Sequence, residues 1–142
     1  VVAAIKAGIQ PNNQQRILHH EIPFDSDRKV MSVVVRGPNG TPVMLVVPGS
    51  HKVDFGRLRE VLHTRAELEQ EREFRDLFPG CETGAEPPFG NLFDLDTIVD
   101  TALTQDEEIV CNAGSHWQTV RLRYDDYARL VHPRVAKFAQ HL

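Results

Sequence analysis

The chain has 142 residues, of which 41% are hydrophobic, and a formal net charge of -4. That length supports one compact domain with a real core and excludes two ordinary ones. The negative balance excludes a protein that grips long stretches of nucleic acid through many Lys and Arg contacts, and leaves room for a short contact with one nucleic-acid end.

The first residues, Val1 to Gly8, form a short, mildly apolar helix candidate, followed by a polar stretch from Pro11 to Arg16. They lack the charged start, long apolar run and cleavage pattern of a signal peptide, and no segment of the sequence approaches membrane-spanning length, so a soluble cytoplasmic protein is expected. From Val30 to Val35 the run VMSVVV is β-branched and apolar, and PVMLVV from Pro42 to Val47 repeats that character. Between them lies Gly37-Pro38-Asn39-Gly40, whose Asn-Gly step is a strong hairpin signal. Asp54 is placed to cap a helix with Phe55, Leu58 and Leu62 on one face, and Glu67 to Phe78 reads as a second, charged helix stopped by Pro79-Gly80. Leu92 to Val99, Glu107 to Cys111 and Thr119 to Leu122 read as strands. Asp125 to Val131 and Arg134 to Leu142 read as helices separated by Pro133. The fold class expected is α+β, one domain built on a mixed β-sheet with surrounding helices.

Chemistry concentrates in Gly84-Ala85-Glu86-Pro87-Pro88-Phe89-Gly90, a segment dense in residues that fix or free the backbone. Such a loop can aim amide N–H groups at one oxygen and cradle an oxyanion or an ester. The same composition equally makes a rigid turn. Cys81 and Cys111 belong to no disulfide-rich pattern and no CxxC, which favours reduced thiols, and Cys81 is assigned a structural role because no paired histidine lies near it in sequence. His19, His20, His51, His63, His132 and His141 are scattered without HExxH, CxxC or a close carboxylate set, so no metal is expected. Arg28, Arg36, Lys52, Arg57 and Arg59 are the cations available to an anionic ligand.

The order and spacing of LFPGCETGAEPPFG, NLFDLDTIVD and VCNAGSHWQTVRL, preceded by VVVRGPNGTPVMLVVPGSHKVDFGRLREVL, resemble the YbaK / prolyl-tRNA-synthetase-associated family over roughly Lys29 to Val131. The resemblance implies a YbaK-like domain over residues 29–142. Residues 1–28 would be an atypical N-terminal segment of the same domain, because the family usually carries a longer helical region there. It also implies a trans-editing aminoacyl-tRNA deacylase that hydrolyses the ester of tRNA mischarged with a small amino acid, on tRNA for proline in several members, without metal or cofactor. Under that resemblance the catalytic set is Lys29, Gly84, Pro88 and His116. Substrate binding falls to Met31, Ala85, Glu86, Pro87, Phe89, Gly90, Asn112, Gly114 and Ser115. The partner implied is the acceptor end of mischarged tRNA, with transient contact to an aminoacyl-tRNA synthetase, and the protein is expected to be a monomer. Lys29 would bind substrate and supply positive charge, and His116 would donate a hydrogen bond or move a proton.

Two other readings come from the residues. Without the resemblance, Lys29 is a solvated lysine at a strand entry and His116 caps a turn beside Trp117. Glu21 to Val35, EIPFDSDRKVMSVVV, resembles a strand motif of P-type cation ATPases, but the chain has no DKTGT motif, and Val47-Pro48-Gly49 stands where a lysine-glycine-alanine segment would be. A binding or regulatory module that keeps the fold without the chemistry, and a general small-molecule esterase, are the competing functions.

Overall fold

The computed structural model describes residues 29–64, 66–68, 75–82 and 84–142. The expected segment 1–28 and residues 69–74 of the expected second helix lie outside the described residues.

Strand β1 (Val30–Arg36) and strand β2 (Pro42–Pro48) pair antiparallel from Val30↔Pro48 to Arg36↔Pro42. The connecting turn puts Asn39 (φ 60) and Gly40 (φ 74) in the left-handed region, and the Thr41 amide donates to the Pro38 carbonyl at 3.2 Å. Two consecutive positive φ values match the right-handed twist of the flanking strands, which is why Asn-Gly closes this hairpin as expected. β2 is buried along nearly its whole length, because it sits inside the sheet and is covered on both faces.

Beyond β2 come strand β3 (His51–Val53) and helix α1 (Phe55–Leu62). The Asp54 carboxylate accepts from the amides of Gly56 at 3.0 Å and Arg57 at 3.2 Å, satisfying two donors that the first helical turn leaves open. Leu58 and Leu62 are buried, each contributing roughly 1.5–3 kcal/mol of hydrophobic stabilisation.

Glu67 and Leu68 do not begin a helix: they form strand β4 (Glu67–Leu68), paired antiparallel with β1 at Val35↔Leu68 and Arg36↔Glu67. The exposed edge of β1 offers backbone groups that a neighbouring segment satisfies best by extending. Arg75–Leu77 is a 3₁₀ turn. The expected strand from Leu92 shortens to strand β5 (Asp96–Asp100), because Gly90–Phe93 makes a 3₁₀ turn ending at Asp94 (φ 57), with the Leu95 amide donating to the Gly90 carbonyl at 2.9 Å.

Strands β6 (Glu108–Asn112) and β7 (Thr119–Arg123) form a separate antiparallel hairpin. It leads into helix α2 (Tyr124–Val131), where Tyr124, Tyr127 and Val131 face inward. Asp125 and Asp126 in the first turn and Arg129 in the last complement the helix dipole.

The C-terminal residues, expected to be helical, instead give strand β8 (Arg134–Ala136), parallel to β5, and strand β9 (Ala139–His141), antiparallel to β3. Asp100 explains this. Its buried carboxylate accepts from the amides of Phe138 and Ala139, both at 2.9 Å, and from the Ala102 amide at 2.9 Å. A helix would consume the Phe138 and Ala139 amides in its own ladder and leave the buried carboxylate with the Ala102 amide alone.

The main sheet therefore runs β4-β1-β2-β5-β8, with β2-β5 and β5-β8 parallel and the others antiparallel. Alternation along the strands divides the core into two layers. Val30, Val34, Met44, Val46 and Val99 pack with Phe89, Ile109, Cys111 and Tyr127 on the side of α2 and the β6-β7 hairpin. Val35, Val43, Leu45, Val47 and Ile98 pack with Leu58, Leu62 and Phe138 on the side of α1. This is a single α+β domain with a mixed sheet, as expected. Among the described residues no helix is long and apolar enough to cross a membrane.

Candidate functional site

A cavity of about 340 Å³ opens along the first half of β1, lined by Lys29, Met31, Ser32, Val33, Val30, Gly49, Gly84, Glu86, Asn112 and His116. β4 reaches β1 only at Val35 and Arg36, and no described strand pairs with that edge between Val30 and Val34. Lys29 is fixed at one end of it. Its residue bridges to Val110 in parallel, and its carbonyl accepts from the Gly49 amide at 2.7 Å.

The loop after Cys81 forms the opposite wall, tied to the β6-β7 turn by reciprocal backbone bonds. The Glu82 amide donates to the Gly114 carbonyl at 2.8 Å, and the Gly114 amide donates to the Ala85 carbonyl at 3.1 Å. The Glu82 carboxylate accepts from the His116 amide at 3.2 Å. Ser32 donates from Oγ to the Glu86 carbonyl at 3.2 Å, stitching the loop to β1. Below it, Tyr127 donates from its hydroxyl to the Pro88 carbonyl at 2.6 Å. Burial lifts the Tyr127 phenol well above its ordinary pKa, so it stays a neutral donor.

Gly84 is where conformation and space coincide. Its φ is +85, which glycine adopts without strain, and a Cβ there would stand 3.4 Å from Cε1 of His116, an ordinary contact distance. Its amide donates to Oε1 of Glu86 at 3.1 Å. On the far wall Asn112 has a side-chain oxygen that is buried and has no hydrogen-bond partner among the described residues. A buried acceptor in that condition is costly unless a donor arrives.

Of the residues singled out in the sequence, the fold brings Lys29, Met31, Gly84, Glu86, Asn112 and His116 together around one cavity. Ala85, Pro87, Pro88, Phe89 and Gly90 are buried behind it. Phe89 packs in the core against Tyr127, and a Cβ on Gly90 would collide with Thr97 Oγ1 at 2.1 Å. Gly114 holds the loop through its backbone, and Ser115 is half-buried outside the lining. Sequence reasoning missed Val30, Ser32, Val33 and Gly49, which enter through the strand edge and the turn after β2. Val47-Pro48-Gly49 carried the signal for that turn. Arg57 turns to the Asp54 carboxylate and the Ala139 carbonyl, on the α1 side of the sheet, and Arg28 lies outside the described residues.

His63 and His132 end α1 and α2 in left-handed conformations, and His51 meets His141 edge to face across β3 and β9. His116 is the one described histidine that lines the cavity. Cys111 is buried, its thiol pushed up to about 12 by burial, and Cys81 is half-buried. Among the described residues no group of three or more His, Cys, Asp or Glu side chains is arranged to hold a metal ion.

A family model described as an aminoacyl-tRNA editing domain matches residues 16–130. No curated protein matches the chain. Among solved structures, one described as a "putative trans-editing enzyme for prolyl tRNA synthetase" superposes with a TM-score of 0.76 at 18% identity, covering 98% of this chain and 93% of that one. A hypothetical protein, APE2540, superposes with a TM-score of 0.73 at 17% identity, covering 82% of this chain and 77% of that one.

Proposed function

Because the chain belongs to the aminoacyl-tRNA editing domain family, we propose that it hydrolyses the ester joining a small amino acid to the 3′-terminal ribose of mischarged tRNA, acting in trans and without a metal. The observation that carries this reading is the convergence of Lys29, Glu86, Asn112 and His116 on one cavity beside the Gly84 amide. That set has a cation, an anion, a neutral acceptor, a proton-transfer group and a backbone donor, and it includes no side-chain nucleophile.

The chemistry follows from the ester. An aminoacyl ester is already activated, so water attack needs positioning and charge stabilisation more than covalent help. In the bound complex the ester carbonyl oxygen takes the Gly84 N–H, and Glu86, released from that bond, pairs with the substrate's α-ammonium. Lys29 offsets negative charge at the carbonyl or the adjoining phosphate. His116 relays a proton from the attacking water towards the departing ribose oxygen. A bond forms from the water oxygen to the carbonyl carbon, the carbon–ribose oxygen bond breaks, and the proton goes to the ribose. The products are the free amino acid and an uncharged 3′ end. Asn112 accepts from a substrate hydroxyl or ammonium, which supplies its missing donor. Pro88 acts as a positioning residue, through the carbonyl that Tyr127 holds. The size of the cavity, at the small end of ligand pockets, favours alanine, serine or cysteine.

The test is release of amino acid from tRNAs charged with alanine, cysteine, serine or proline. Turnover on one or more of them supports the reading, and none on any of them overturns it. One observation favours a second reading, a module that binds the acceptor end without hydrolysing it: the Gly84 amide already has an acceptor in Glu86. Tight binding of charged tRNA with the ester left intact is the result expected from such a module. Contact with a synthetase and action as a monomer in the cytoplasm complete the proposal.

A further inference from the structure

Trp117 is the only tryptophan in the chain and is 90% exposed. Tryptophan is normally among the more buried side chains, and this one contributes almost nothing to the core. The backbone that carries it is nevertheless fixed. The turn that carries it is closed by the Ala113 amide donating to the Gln118 carbonyl at 3.1 Å, and is pinned to the Gly84 loop through Gly114 and the His116 amide. His116, the preceding residue, lines the cavity, so the indole starts one Cα step, about 3.8 Å, from the cavity wall.

The ligand proposed above is joined at one end to a polymer, so whatever precedes the terminal nucleotide must leave through the mouth of the cavity. The chain's net charge of -4 gives little affinity from phosphate neutralisation. A short single-stranded end must then gain much of its binding from non-ionic contact, and base stacking on an aromatic ring is the strongest such contact available. We propose that Trp117 is a stacking platform for the base next to the terminal nucleotide of a single-stranded RNA 3′ end, an inference that rests on the reading of the cavity given above. The hydrogen-bonded turn holds the backbone that carries the ring, so the ordering that offsets the stacking is that of one side chain.

The test uses an uncharged RNA hairpin with a single-stranded 3′ overhang ending in adenosine, titrated into the full chain while Trp117 fluorescence is read. Saturable quenching is expected, with Trp117→Ala binding about 5- to 150-fold more weakly by anisotropy and Trp117→Phe retaining most of the affinity. A hairpin abasic at the penultimate position should bind the unaltered protein as weakly as the intact hairpin binds Trp117→Ala, with no further loss when the two changes are combined. Unchanged binding by Trp117→Ala overturns the inference. So does a fluorescence change with protein concentration alone, which would assign the ring to a contact between copies. Because the RNA carries no ester, the two readings fail separately. Hydrolysis of charged tRNA with no quenching removes the platform and leaves the deacylase, whereas quenching with no hydrolysis does the reverse.

Discussion

The backbone N–H of Gly84 donates to Oε1 of Glu86 at 3.1 Å, so inside the cavity the loop's own carboxylate occupies the donor that an ester oxygen would use. Substrate binding must exchange that bond for another, and the exchange is favourable only if the carboxylate gains a partner of its own. An α-ammonium is such a partner. Glu86→Gln should therefore raise KM for aminoacyl-tRNA about 10-fold or more, a loss of the order expected for a charge-assisted bond. Hydrolysis of the N-acetylated aminoacyl-tRNA, which has no ammonium, should be unaffected or faster. Steady-state kinetics on the two substrates checks this, and an equal loss on both would remove Glu86 from amine recognition.

Gly84→Ala combines backbone strain at φ +85 with a methyl group placed 3.4 Å from the His116 ring. The strain should cost about 1 kcal/mol of stability. Activity should fall further, on the order of 100-fold, because relief of that strain turns the amide away from the ester. Thermal melting beside single-turnover hydrolysis separates the two effects. A loss of activity no larger than the loss of folded protein would make Gly84 purely structural.

Asp100 accepts three backbone amides, and through two of them, Phe138 and Ala139, it joins β5 to the C-terminal segment. Asp100→Ala leaves those donors without their acceptor and should destabilise the domain by about 3 kcal/mol or more. Asp100→Asn keeps one acceptor oxygen and should cost less. Denaturant unfolding of both variants measures the difference, and similar midpoints for the wild-type chain and Asp100→Ala would contradict this account of the C-terminal strands.

Most of the fold could be read from the sequence where local signals and tertiary demands agree. The β1-β2 hairpin announces itself through Asn39-Gly40, α1 through Asp54, and the end of α2 through Pro133. The misread segments are those whose structure is decided by a distant partner. Arg134 to Leu142 extends because Asp100 captures two of its amides, and Glu67-Leu68 extends because β1 has an open edge. The cavity follows the same division. Lys29, Gly84, Glu86, Asn112 and His116 stand in motifs, whereas Ser32 and Val33 contribute because no strand among the described residues pairs with that edge beside them, which no local pattern encodes.

Stability should fall in alkali for a reason visible in the core. The Cys111 thiol is raised from 9.0 to about 12 by burial, and burial also raises Tyr127. Both groups are neutral when protonated, so the unfolded chain loses these protons at lower pH than the native one. The stabilisation is complete below about pH 9 and is lost as pH rises from there towards 12. Melting temperatures measured from pH 7 to 11 should be level and then decline, and Cys111→Val should decline less steeply above pH 9. Identical slopes would show that Cys111 does not report the transition.

In the proposed reaction this cavity breaks the aminoacyl ester with Lys29 supplying charge at the reacting end. Single-turnover hydrolysis of alanyl-tRNA by the wild-type chain and by Lys29→Ala, with melting curves for both, tests it most directly. The account predicts hydrolysis by the wild-type chain and a rate lower by about 100-fold or more in a variant that remains folded. Equal rates in the two proteins, or no hydrolysis by either, would contradict it.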